Sequence, residues 1–289
     1  MTRTTTTLSR RSFLTRRSGR LLVCCSTTLH SISGYGVTGF LLQTASNQRR
    51  TSAATRWVSG SSASQPPPED FKNRLLSEQL QTKNDFCALR HGQSMANVEG
   101  LIASNPQVAI HKYGLSKVGQ QQAQKAGQDV VDRFKSFSKQ QQQPLEKVLI
   151  LTSDLLRAKE TAAAVANACI QQGVPLYQDR LVIDTRLRER RFGNWDLKSD
   201  VHYQDVWDDD AKDPFHTINE VESVMSVMDR STQCVIEWND KVENHLIVCT
   251  AHGDVLQILQ TAFSKLDGSK HRSLEHLETA TLRPLELKL

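Results

Sequence analysis

The first 68 residues of this 289-residue chain contain no lysine, no aspartate and no glutamate. What they do contain is nine arginines set among serine, threonine and small residues. Such a composition cannot bury a core of its own, which leaves a targeting leader or a basic tail. Arg10, Arg11, Arg16, Arg17 and Arg20 alternate with Leu8, Phe13, Leu14, Leu21 and Leu22, the pattern of a basic amphipathic presequence. No uninterrupted apolar core follows the first basic cluster, which argues against a secretory signal. The arginines point to the mitochondrion. The serine and threonine content keeps the plastid open, and a cytoplasmic protein is the outcome if the leader is not a signal.

Other absences narrow the field further. No apolar stretch approaches the ~20 residues needed to span a membrane; the best candidate, Gly34 to Leu42, is short and broken by glycine. Six cysteines occur without any CxxC spacing, which speaks against structural zinc and for a reduced compartment. Cys87 and Cys249 sit inside apolar runs, where cysteine behaves as a small hydrophobe. The net charge of +5 is also localised: beyond residue 68 the chain carries 27 basic and 31 acidic residues, a net of −4. A mildly acidic body argues against a nucleic-acid-binding surface.

Gln65-Pro66-Pro67-Pro68 reads as a stiff linker, so the expected organisation is a leader and linker over 1–69 and one domain over 70–289. Phe71 to Leu80 suggests a short helix. Phe86-Cys87-Ala88-Leu89, Val148-Leu149-Ile150-Leu151 and His245-Leu246-Ile247-Val248-Cys249 read as buried strands. Pro175-Leu176-Tyr177 reads as an edge strand and 280–287 as a closing one. Helices are expected over 115–137 (Val118, Ala123, Ala126, Val130, Val131 and Phe134 on the inner face), 155–172, 221–238 and 254–266. Lys139 to Pro144, a glutamine run, reads as a surface loop, and 184–216, charged and without periodicity, as a long loop or inserted subregion. Continuous rather than alternating apolar runs mean strands covered on both faces. The expected fold is therefore a three-layer α/β/α sandwich with a largely parallel central sheet.

Two of the buried strands end in histidine followed by glycine: His91-Gly92 and His252-Gly253, 161 positions apart. Residues at the carboxyl edge of such a sheet are where α/β folds place ligands. Arg90 precedes His91, and Arg157 follows the middle strand. Adjacent arginine charge favours neutral imidazole, the form that presents a lone pair, and a guanidinium fork suits two oxygens of one phosphate. Gly92 removes a side chain that would keep the backbone from an anion. Ser94 and Asn97 offer neutral donors. Together these residues point to a phosphate site.

Arg90-His91-Gly92, with Ser94 and Asn97 at their offsets, resembles the signature of the histidine phosphatase superfamily, the phosphoglycerate mutase-like fold. Ser153-Asp154-Leu155-Leu156-Arg157-Ala158 with Thr161-Ala162 resembles the family's second-arginine segment. Leu187-Arg188-Glu189-Arg190-Arg191-Phe192-Gly193-Asn194-Trp195 resembles the segment that supplies its acid, and Ala251-His252-Gly253 its second histidine. The four segments stand in family order over roughly residues 85–260. The resemblance implies His91 as the nucleophile, Glu189 as the proton donor, and Arg90, Asn97, Arg157 and His252 around the phosphate. It implies a phosphatase acting on a small phosphorylated metabolite or a phosphoprotein, with no cofactor and no metal.

Where mutases of this family carry basic residues after the acid segment, this chain has Asp196-Leu197-Lys198-Ser199-Asp200, leaving Lys198 as one basic contact. That favours hydrolysis over a cofactor-dependent mutase. A partner-binding scaffold is the reading from another class, and the intact set of site residues speaks against it. Asp208-Asp209-Asp210, with Trp207 before it, reads as a solvated loop rather than a magnesium site. Asp254 reads as a helix cap, or else as a group orienting a substrate amine or a neighbouring arginine. Met225 and Met228 read as core packing on a helix bordering the pocket.

Overall fold

The computed structural model describes residues 71–76, 81–140 and 144–288. The leader, the proline linker and the domain boundary at 69/70 lie outside the described residues. Strand β1 (Asp85–Arg90) leads through two short helices, α1 (Met95–Glu99) and α2 (Pro106–Ala109), to the long α3 (Lys117–Gln140). Then come β2 (Lys147–Thr152), α4 (Leu156–Gln171) and the two-residue β3 (Val182–Ile183). After a run of 3-10 turns, α5 (Tyr203–Asp210) and α6 (Val224–Lys241) precede β4 (His245–Ala251), α7 (Gly253–Phe263) and β5 (Leu282–Pro284).

The five strands form one sheet in the order β3-β2-β4-β1-β5. All pairings are parallel except β1 with β5. The apolar strands alternate their side chains between two cores. Phe86, Ala88, Leu149, Leu151, Ile247 and Cys249 pack with α6 and α7. Cys87, Leu89, Val148, Ile150, Leu246 and Val248 face α3 and α4. All seven residues of β4 are buried, which is why its sequence shows no polar alternation. The chain is thus the expected three-layer sandwich, and its strand ends converge at one edge.

Several local expectations change. The edge position belongs to β3; Leu176 makes a single bridge to Val148 and then enters a 3-10 turn. Around Arg74–Leu76 the chain makes a 3-10 turn, while 77–80 lie outside the described residues. Helix α3 runs on through Gln140, into the run read as a loop, and Val118 in its first turn is half exposed rather than core. The 184–216 segment contains α5, whose eight residues are too few for a clear helical period. Asp208-Asp209-Asp210 is not a solvated loop. It closes α5, and Asp210 is fully buried. Among the described residues no helix is long and apolar enough to cross a membrane.

Candidate functional site

Register brings the two histidines together. Arg90 on β1 pairs with Ala251 on β4, so the next residues, His91 and His252, leave adjacent strand ends side by side. Their ring centroids are 5.2 Å apart. On the other side of β4, Thr152 of β2 pairs with Thr250, and Ser153 beyond it places its hydroxyl 2.9 Å from His252 Nε2. Arg157, in the first turn of α4, reaches back over the sheet edge to His91, its Nε 3.1 Å from Nε2.

These contacts fix how His91 carries its proton. The Gly92 carbonyl accepts from Nδ1 at 2.7 Å, and Arg157 donates to Nε2, so Nε2 holds the lone pair. Burial, and then the charges of Arg157 and Arg90, push the His91 pKa well below its usual value, which keeps the ring neutral. His252 is lowered in the same way, by burial first and Arg157 next. Around the pair, three buried nitrogens have no protein partner: Arg90 Nε, Arg157 Nη1 and His252 Nδ1, the last bearing the ring proton when the Ser153 hydroxyl, which accepts from Leu155 N–H, donates to Nε2. A buried unpaired donor costs about 1–3 kcal/mol, more when charged. Three of them around one imidazole lone pair describe a receptacle for an anion.

Gly92 has a different reason from the one its place suggested. A Cβ there would meet the Gly119 carbonyl of α3 at 2.4 Å, so the glycine admits a close backbone approach of α3 to the β1 exit. Gly253 is the glycine that faces the site: a Cβ on it would stand 3.6 Å from the Arg90 guanidinium. Ser94 and Asn97 form a capping box at the start of α1, and the Ser94 hydroxyl also donates to Asn97 Oδ1. Ser94 therefore has no hydroxyl proton to offer, whereas Asn97 keeps its amide N–H2 and lines the cavity.

Glu189 enters from the segment after β3. Its Oε1 accepts from the backbone N–H of Arg190 (2.9 Å) and of Val255 in α7 (3.3 Å). Burial, and next the charge of Asp254, raise its pKa above the ordinary glutamate value. The loop carrying it is held by Arg230 of α6, which donates to the carbonyls of Arg186 (2.5 Å) and Arg188 (2.9 Å) and pairs with Glu222. Beneath it the Arg190 guanidinium, fully buried, makes a two-pronged pair with Asp210 at 2.6 and 2.7 Å.

Asp254 does not cap α7. It lies inside the first helical turn, where Trp207 Nε1 donates to it at 3.0 Å and Arg190 at 3.3 Å, so orienting an arginine is the role the structure bears out. Asp196 is likewise structural. Its Oδ1 accepts from Ser104 and Asn105, fixing the loop whose Ala103 carbonyl receives Arg157 Nη2. Lys198 is exposed and stands away from the cavity lining. Among the described residues no group of histidine, cysteine and carboxylate side chains is placed to hold a metal ion.

The cavity above His91 has a volume of about 220 Å³ and is lined by Arg90, Asn97, Arg157 and Glu189. Its outer wall is Tyr203, Trp207, Arg272 and His276, none of which stood out in the sequence. They sit on α5 and after α7, in segments without a motif. The one available signal was a basic cluster at Lys270-His271-Arg272.

A family model for the histidine phosphatase superfamily, branch 1, matches residues 86–288, well over half of the chain. The chain belongs to the histidine phosphatase superfamily. Among solved structures of this fold it is similar to a mycobacterial glucosyl-3-phosphoglycerate phosphatase in complex with VO3. The two share 25% identity with a TM-score of 0.54, over 69% of this chain and 89% of that one. Mycobacterial hydrolase 1 shares 24% identity at a TM-score of 0.54, over 69% and 87% of the two chains. YhfR of Bacillus stearothermophilus shares 22% at 0.53, over 69% and 89%. These last two likenesses concern the fold. No curated protein matches the sequence.

Proposed function

We propose that this histidine phosphatase superfamily member hydrolyses phosphate monoesters in two steps through a phosphohistidine on His91. The observation that carries this is the ring of unpaired buried donors, Arg90 Nε, Arg157 Nη1 and His252 Nδ1, around the imidazole that keeps its Nε2 lone pair. In the first step His91 Nε2 bonds to phosphorus and the phosphorus–oxygen ester bond breaks. Glu189, whose burial and Asp254 neighbour raise its pKa and favour the protonated form, gives its proton to the departing alkoxide. In the second step water attacks phosphorus, its proton passes to the Glu189 carboxylate, and the phosphorus–nitrogen bond breaks to release phosphate. Arg90, Arg157, His252 and Asn97 hold the equatorial oxygens throughout, in a site where positioning and charge do most of the catalysis.

The exposure of Lys198 and the structural use of Asp196 support hydrolysis over mutase chemistry, since the segment after the acid sends no cation into the cavity. The test is release of phosphate by the full chain from a generic phosphate monoester without added metal, and its loss in His91→Ala. Full activity in that variant would defeat the nucleophile assignment. Interconversion of 2- and 3-phosphoglycerate with a bisphosphate primer, faster than hydrolysis, would replace the phosphatase by a mutase. A domain over 70–289 behind a mitochondrial leader over 1–69 is the reading we keep for the chain's organisation, and a fluorescent fusion of the leader tests it.

A further inference from the structure

One wall of the cavity holds more hydrogen-bond donors than the protein supplies acceptors for. Arg272, in the 3-10 turn after α7, lays its guanidinium 3.7 Å from the centre of the Trp207 ring, which sets the plane of the fork. Its Nη2 approaches His276 Nδ1 at 3.4 Å, while Arg90 Nη1 lies 2.9 Å from Nε2 of the same ring. A neutral imidazole has one lone pair, so it cannot accept from both arginines. Arg90 also donates to the Leu277 carbonyl at 3.0 Å, but the nearest carboxylate to Arg272, Asp254, is 3.8 Å away and already receives Trp207 and Arg190. Among the described residues Arg272 has no hydrogen bond to an acid. Of the carboxylates lining the cavity besides Glu189, Asp254 is engaged by Trp207 and Arg190 in this way and Asp200 is exposed. Burial and the two flanking arginines lower the His276 pKa, so the imidazole stays neutral between them.

We propose that Arg272, with His276 and the outer edge of Arg90, forms a second anion subsite, and that the substrate is a compact phosphate monoester bearing a second anionic group, a carboxylate or another phosphate. This rests on the phosphatase reading for the first phosphate. The geometry makes the two anions neighbours, because a single imidazole separates Arg272 from an arginine that also borders the His91 receptacle. The stacking on Trp207 supplies rigidity, since a fork held on an aromatic face loses less freedom when it binds a carboxylate or phosphate.

The full-length protein is assayed on two matched pairs of esters. Glycerol 3-phosphate against 3-phosphoglycerate differs by a carboxylate, and fructose 6-phosphate against fructose 1,6-bisphosphate by a phosphate. In at least one pair the dianionic-plus partner is expected to show kcat/KM higher by about tenfold or more, the size of a charge-assisted contact. The pair in which it appears identifies the second group. Arg272→Gln brings that ratio close to one, and Arg272→Lys restores part of it. Ratios near one in both pairs for the wild type would overturn the subsite; a preference undiminished in Arg272→Gln would overturn its assignment to Arg272. The same pairs are titrated calorimetrically onto His91→Ala. A binding preference there without turnover in the wild type would fail the phosphatase reading and leave the subsite standing.

Discussion

The two ends of the cavity are built in different ways. The inner end is made by the sheet: β1, β4 and the turn from β2 into α4 deliver Arg90, His91, His252 and Arg157 at fixed spacing through parallel register. Three of its buried polar atoms, Arg90 Nε, Arg157 Nη1 and His252 Nδ1, lack partners, which suits an anion. The outer end is assembled from α5, the segment after β3 and the turn after α7, and its charges are mostly spent on one another. Arg190 is paired with Asp210 and Asp254, Arg230 with Glu222, and Trp207 with Asp254. One end is rigid because its backbone is a sheet; the other because its side chains are buried ion pairs. Open donors mark where ligand charge goes, and closed pairs mark what holds the proton donor in place.

Four substitutions separate these roles. Glu189→Gln removes the proton donor while keeping its shape, and is expected to lower kcat by roughly 10²–10⁴-fold on alkyl phosphates. The loss should be much smaller on nitrophenyl phosphate, whose leaving group needs no proton; equal losses on both would remove Glu189 from the acid role. The pH profile gives the sign. The active form needs neutral His91, which its lowered pKa secures well below the usual histidine range, and protonated Glu189, which its raised pKa extends upward from 4.5. Activity therefore falls as pH rises through the Glu189 pKa. Asp254→Asn, by removing a charge that raises that pKa, moves the falling limb to lower pH. An unmoved limb would place Asp254 in a purely structural part.

Asp210→Ala attacks the outer end alone. It leaves the Arg190 guanidinium buried without its two-pronged partner, and breaking such a pair costs about 3–5 kcal/mol. A large fall in Tm is expected; a change within experimental error would show that the outer end does not depend on its ion pairs. Lys198→Ala is the smallest effect, within about 0.5 kcal/mol in stability and without change in kcat/KM, as for an exposed side chain outside the cavity. A marked loss on phosphoglycerate would return Lys198 to the substrate site.

The contrast also explains how much of the protein was readable beforehand. The inner end announces itself because a buried strand forces its apolar run, and the residue that ends it, such as His91 or His252, stands out against that run. The two cores, four of the helices and the inner site follow from such patterns. The outer end is written in contacts distant in sequence. Asp210 finds Arg190 20 positions away, and Arg272 finds Trp207 across α6, β4 and α7. A triplet of aspartates at the close of an eight-residue helix looks like solvated charge until its partner is seen. Asp254 reads as a cap for the same reason: the sequence displays its position beside the helix start but not its contacts with Trp207 and Arg190.

The central claim is that the lone pair of His91 Nε2 takes the phosphoryl group. Rapid quenching of the full chain after mixing with a phosphate monoester, followed by peptide mass analysis under alkaline conditions, tests it directly. The account predicts one acid-labile phosphoryl group on the peptide containing His91, formed within the first turnover and absent in His91→Ala. Steady hydrolysis with no phosphoryl group on that peptide, or with the group on another residue, would contradict it.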